Sequence, residues 1–106
     1  MEKGLAEIKK LHERLVNISV SDKNRVANQA LVRYLELEYM VPAAVAVALG
    51  AMAREESRGS HTRTDFPARD DEHFLNHTIA RMRDGEIGIT YTPVTPGMFS
   101  PEERVY

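Results

Sequence analysis

Apolar residues recur at Leu5, Ile8, Leu11 and Leu15, with Lys9, Lys10, Glu13 and Arg14 on the other faces, and this spacing predicts an amphipathic helix over 2–16. Ser21-Asp22 offers N-cap chemistry for a second helix starting near Lys23, with Ala27, Leu31, Tyr34, Leu35 and Glu38 on one face. From Met40 to Ala53 the chain is apolar all round. Fourteen residues fall short of the roughly 20 needed to cross a bilayer. The expectation is one long buried helix, 24–56, bent near Pro42, which lacks a backbone donor.

After Glu56 the periodicity stops. Residues 57–71, rich in Gly, Pro, Asp, Arg and Thr, read as an irregular, extended strap. Asp84-Gly85 is a two-residue hairpin signal that would pair 78–82 with 87–91, and Pro93, Pro96 and Pro101 keep the tail extended. The fold class is therefore mainly α: an antiparallel helical bundle, then a strap and a short β-hairpin tail. Residues 1–56 form the helical part and 57–106 the strap, hairpin and tail, one domain in all.

Composition sharpens this division. Of the 25 Leu, Ile, Val and Phe residues, 16 lie in positions 1–50 and nine after them, so the second part is expected to lie on something else. With a net charge of −2 there is no basic excess for phosphate neutralisation, which argues against nucleic acid as a partner. All four lysines precede residue 24 and every later cation is Arg, the planar donor suited to bidentate carboxylate pairing. Having no Cys, the chain has no disulfide, no thiolate nucleophile and no Cys metal site. The charged N-terminus does not resemble a signal peptide, and a cytoplasmic setting is expected.

Chemistry-bearing patterns are sparse. His73 and His77 stand four apart beside Asp70, Asp71 and Glu72, a metal-ligand spacing only if both lie on one helix. Without the H-E-x-x-H order, solvated or hydrogen-bonded histidines are the better reading. Ser57 or Ser60 with His61 and Asp65 is too local for a triad, which is assembled from distant segments. Gly59 is alone, so there is no phosphate-cradling loop. No catalytic, cofactor-binding or metal residue is assigned. The alternating Arg58, Arg63 and Arg69 with Asp65, Asp70 and Asp71 point instead to a strap pinned by charge-assisted pairs.

Glu56-Ser57-Arg58-Gly59-Ser60-His61-Thr62-Arg63-Thr64-Asp65-Phe66-Pro67-Ala68-Arg69-Asp70-Asp71 resembles the E-S-R-G-A-H-x-R-x-D-x-P-x-R-D-D signature of succinate dehydrogenase and fumarate reductase flavoprotein subunits. The likeness continues through Phe74-Leu75-x-His77-Thr78, Tyr91-x-Pro93-Val94 and Pro101-x-x-Arg104-x-Tyr106, and upstream through Leu35-Glu36-Leu37-Glu38-Tyr39-Met40. Ser60, Ser100 and Pro42 depart from the family pattern.

The resemblance implies the C-terminal helical domain of a larger flavoprotein, a spectrin-repeat-like three-helix bundle from which the first helix is missing. Its parent would move hydride between succinate or fumarate and FAD, pass electrons to an iron–sulfur subunit, and sit at the membrane periphery in a respiratory complex of the tricarboxylic acid cycle. FAD would be held by the parent and not by this fragment, which is expected to be inactive. Arg58, His61, Arg63, Asp65, Arg69, Asp70, Asp71, His77 and Arg104 are the candidates for docking on the flavin-binding and capping domains. A related flavoprotein such as L-aspartate oxidase shares E-S-R-G, but Arg69-Asp70-Asp71 and Tyr91-x-Pro93-Val94 argue against it; a stand-alone helical interaction module is the other alternative. The stretch Met40–Ala53, apolar on all faces with only one other helix to cover it, leads to the expectation of a homodimer formed through it.

Overall fold

The computed structural model describes residues 1–98 and Glu102. Its elements are α1 (Glu2–Leu15), α2 (Gln29–Ala53), α3 (Asp71–Phe74), β1 (Asn76–Arg83) and β2 (Glu86–Pro93). The protein is mainly helical with a small antiparallel sheet, and it divides into two compact units, Met1–Leu49 and Gly50–Tyr106.

Helix α1 follows its apolar stripe. Leu5 and Leu15 are buried, whereas Leu11 on the same stripe is 48% exposed. Glu2 in the first turn and His12 and Arg14 in the last complement the helix dipole.

The second helix starts at Gln29, not near Lys23. Asp22 spends its carboxylate on the Asn24 N–H (2.9 Å), a local turn, and Ala27 takes a left-handed φ of 54°, which a helix cannot run through. Asn28 is the cap instead: its Oδ1 accepts from the Leu31 N–H at 2.8 Å, while its Nδ2 donates to the carbonyls of Asp22 (2.8 Å) and Asn24 (3.0 Å). The helix runs unbroken through Pro42 and ends at Ala53, three residues short of the expected Glu56.

At 25 residues, α2 overturns the length argument against a membrane span. Its best window has a mean hydropathy of 1.5 with 11% of it buried, so length and composition alone admit a crossing. Core helices of soluble proteins pass the same test. Its first half carries Arg33, Glu36 and Glu38.

Among the described residues, four apolar side chains are buried: Leu5, Leu15, Val41 and Val45, all in the first unit. A groove of about 360 Å³ in that unit is lined by Leu11, Arg14, Leu15, Asn17, Ile18, Leu37 and Val41.

In the second unit the hairpin forms as the turn signal predicts, with longer strands. Thr78 pairs with Tyr91 and Met82 with Ile87, and the ladder extends from Asn76↔Pro93 to Arg83↔Glu86. Asp84 (φ 52°) and Gly85 (φ 82°) are both left-handed, the signature of a type I′ turn. Pro101 of the predicted extended tail lies outside the described residues.

Candidate functional site

The second unit is organised around a carboxylate. Glu56, three residues past the end of α2, is fully buried. Burial pushes its carboxyl up, yet hydrogen bonds from Arg58, the Asp70 N–H and Arg54 outweigh that and hold it below the usual carboxylate range.

Arg58 grips both oxygens, Nε to Oε1 and Nη2 to Oε2, each at 2.9 Å. The Asp70 backbone N–H donates to Oε2 at 2.9 Å. Arg54 also donates to Oε1, through Nε (3.0 Å) and Nη2 (2.5 Å). Arg54 Nη1 reaches the Asn76 carbonyl and Thr78 Oγ1, both at 2.9 Å, and its Nη2 also donates to the Phe74 carbonyl. One guanidinium thus ties the end of α2, the buried carboxylate, α3 and β1 together. Its cation also lies 5.6 Å from the Phe74 ring centroid, and Phe74 meets Tyr91 edge-on at 6.2 Å. The Tyr91 hydroxyl donates to the Ala53 carbonyl at 2.9 Å.

The strap is a closed loop, not an extended segment, because Ser57 fastens it. The Ser57 N–H donates to the Ala68 carbonyl (2.9 Å), while its Oγ accepts from the Arg63 N–H (2.8 Å) and donates to the Phe66 carbonyl (2.8 Å). Arg58 and His61 exchange two backbone hydrogen bonds across a tight turn, in which Gly59 (φ 59°) holds a left-handed position that a side chain would strain.

Arg63 is buried. Its Nη1 donates to the carbonyls of Met52 (2.8 Å) and Arg54 (3.0 Å), capping the end of α2 from within the strap. Its Nε and Nη2 form a fork on Asp65, and the cation lies 4.6 Å from the Phe66 ring centroid. The Arg63 hydrogen bond holds Asp65 at about 2.

Asp71 is shared by two arginines. Arg69 donates through Nε (2.8 Å) and Nη2 (2.6 Å), and Arg58 through Nη2 at 2.7 Å. Those bonds, that of Arg69 foremost, hold Asp71 at about 2. Arg69 also donates to the Glu102 carbonyl at 2.6 Å. Asp70 caps α3, its Oδ1 accepting the N–H groups of Glu72 (3.0 Å) and His73 (2.9 Å); sequence periodicity gave no sign of this turn.

Of the candidate residues, Arg58, Arg63, Asp65, Arg69, Asp70 and Asp71 fall in one network, and His61 joins it through backbone hydrogen bonds and an Nε2 contact of 3.5 Å to the Arg54 carbonyl. His77 stands apart, exposed on β1 opposite Thr92. Arg104 lies outside the described residues. The central residues Arg54 and Glu56 were not among the candidates. Their signal was the Arg-x-Glu-x-Arg spacing around Glu56, which a loop can fold onto one point.

His73 and His77 do not share a helix face, because α3 ends at Phe74 and His77 is in β1. Among the described residues no group of three or more His, Asp or Glu is arranged to hold a metal. Ser57 Oγ is spent on strap backbone, which leaves it no part in a triad with His61. A shallow groove of about 570 Å³ runs along Glu55 and residues 65–73.

Comparison with known proteins identifies the family. The family model described as the fumarate reductase flavoprotein C-terminus matches residues 1–106. The chain belongs to that family. Fumarate reductase flavoprotein subunits of Mycobacterium tuberculosis are 46% identical over 107 residues, covering all of this chain and 18% of theirs. The succinate dehydrogenase flavoprotein subunit of Coxiella burnetii is 40% identical over 109 residues, 98% of this chain and 18% of its own. A solved E. coli quinol fumarate reductase superposes with a TM-score of 0.91 at 35% identity, over 99% of this chain and 18% of that one. The chain thus spans about a fifth of the length of these flavoprotein relatives.

Proposed function

We propose that this chain is the docking part of a succinate dehydrogenase or fumarate reductase flavoprotein, whose whole moves hydride between succinate or fumarate and FAD and hands electrons to an iron–sulfur subunit. The observation that carries the reading is the match over residues 1–106 to the fumarate reductase flavoprotein C-terminus, with relatives of both names at 40–46% identity. In this reading the chain works in a peripheral, membrane-associated respiratory complex, and α2 is covered by protein.

Among the described residues, the strap arginines do not fit FAD. The guanidiniums of Arg54, Arg58 and Arg63 are spent on Glu56, Asp71, Asp65 and backbone carbonyls, so they offer a pyrophosphate no cradle, and no step of hydride transfer is assigned to this chain. What these residues do is fix a surface. The buried Glu56 network presents the outer strap, with Asp65 (58% exposed) and Asp71 (44%), to the flavin-binding and capping domains. Arg58, His61, Arg63, Asp65, Arg69, Asp70, Asp71, His77 and Arg104 are the proposed docking set.

Alone, the chain would pair with a second copy through the first unit's apolar groove, since Leu11 and Ile18 there are 48% and 41% exposed.

The test of the docking role is Arg69→Ala and Arg58→Ala in the full-length flavoprotein. The expected outcome is a lower yield of folded, flavin-loaded subunit, the surviving fraction turning over normally. Normal assembly with collapsed turnover would move these arginines into the chemistry and sink the reading.

A further inference from the structure

Among the described residues, one histidine is paired with a carboxylate: His73 Nδ1 lies 2.9 Å from Asp70 Oδ2. Asp70 divides its groups between solvent and interior. Its Oδ1 caps α3 through Glu72 and His73, its N–H donates to the buried Glu56 at 2.9 Å, and its carbonyl accepts from Arg58 at 3.2 Å. The exposed imidazole is therefore one residue removed from the centre of the network.

We propose that His73 and Asp70 form a pH-responsive clasp on the strap: the imidazolium holds the Asp70 carboxylate over the first turn of α3, and loss of its proton loosens the strap where it meets Glu56 and Arg58. The charged groups around the ring favour closure. Asp70 and Glu72 on its own turn are carboxylates, and the groove beside it adds Glu55. The other charges of that groove are matched internally, Asp65 by Arg63 and Asp71 by Arg58 and Arg69. The Asp70 hydrogen bond, helped by the charges of Asp70 and Glu72, raises the His73 pKa above its ordinary 6.5.

The direction in pH follows. A group whose pKa is raised on folding contributes fully below its unfolded value, near 6.5, and loses that contribution as pH rises through the folded value. The neutral ring can still donate from Nδ1, so the clasp weakens without opening completely.

The experiment is an NMR titration of the 106-residue chain from about pH 5 to 8.5, with amide exchange at Asp70, Glu72 and His73 corrected for intrinsic exchange. His73 should titrate above 6.5, and protection of the three amides should fall about two- to fivefold through the same midpoint, as suits an exposed ion pair. In His73→Gln, which keeps a donor and removes the charge, the step should vanish while the hairpin resonances stay in place. A His73 midpoint at or below 6.5, pH-independent protection, or the same step in His73→Gln would each overturn the clasp.

Discussion

The two units solve the same problem with opposite materials. Met1–Leu49 holds the four buried apolar side chains but leaves Leu11, Leu31, Val32, Leu35, Leu37 and Val47 at least 40% exposed. Gly50–Tyr106 buries Glu56 and Arg63 and has no buried apolar residue among those described, yet no buried side-chain polar atom there lacks a partner. A chain poor in apolar surface can be ordered by ion pairs only if each is completed by further hydrogen bonds, since isolated buried charges cost more than they return. Arg54 and Arg58 meet that condition around Glu56. The lesson is a division of labour: the first unit is apolar and uncovered, the second polar and closed.

The largest expected effect comes from opening the closed one. Glu56→Gln removes the charge that Arg54 and Arg58 share, leaving Arg58 with Asp71 and Arg54 with neutral oxygens, and breaking a buried pair in this way costs at most about 3–5 kcal/mol. Chemical denaturation followed at the hairpin should show this loss.

The uncovered unit predicts self-association. In sedimentation equilibrium at tens of micromolar the chain should run as a dimer, and Leu11→Glu, at an exposed groove position, should return it to 12.0 kDa. A wild-type monomer would show that the apolar unit covers itself, and the contrast between the units would weaken.

Acid separates the units by mechanism. Asp65 and Asp71 are lowered from 3.8 to about 2, so their contribution is fully present above the unfolded value and is lost as pH falls from about 4 through 2. Glu56, also lowered, changes stability in the same direction. Strap and hairpin signals should therefore decay in that window before those of α1, monitored by NMR. Simultaneous loss would contradict separate modes of stabilisation.

The smallest effect is local. Gly85→Ala places a Cβ at φ 82° in open space, so strain alone should cost about 1 kcal/mol, read as a lower melting temperature of the hairpin.

What the sequence disclosed followed from local patterns. The stripe of α1 and the Asp84-Gly85 turn are short-range signals, and both elements stand where they were expected, the strands three residues longer each. The start of α2 differs from the expectation because Asp22 spends its carboxylate on the Asn24 N–H and Ala27 is left-handed, so Asn28 caps the helix instead. The strap was expected to be extended because its closure depends on Ser57 reaching Arg63, Phe66 and Ala68, contacts between residues of no periodicity. Arg69 and Asp71 could be paired from spacing, whereas the hub role of Arg54 depends on carbonyls of Phe74 and Asn76 some 20 positions away, on which side-chain patterns are silent.

Native-state hydrogen exchange on the wild type and Glu56→Gln tests the central claim most directly. The network around Glu56 predicts that Ser57, Asp70 and the β1–β2 amides lose protection together in the variant, while the amides of α1 keep theirs. Unchanged protection in the hairpin and strap, or an equal loss in α1, would contradict a second unit held by its buried carboxylate.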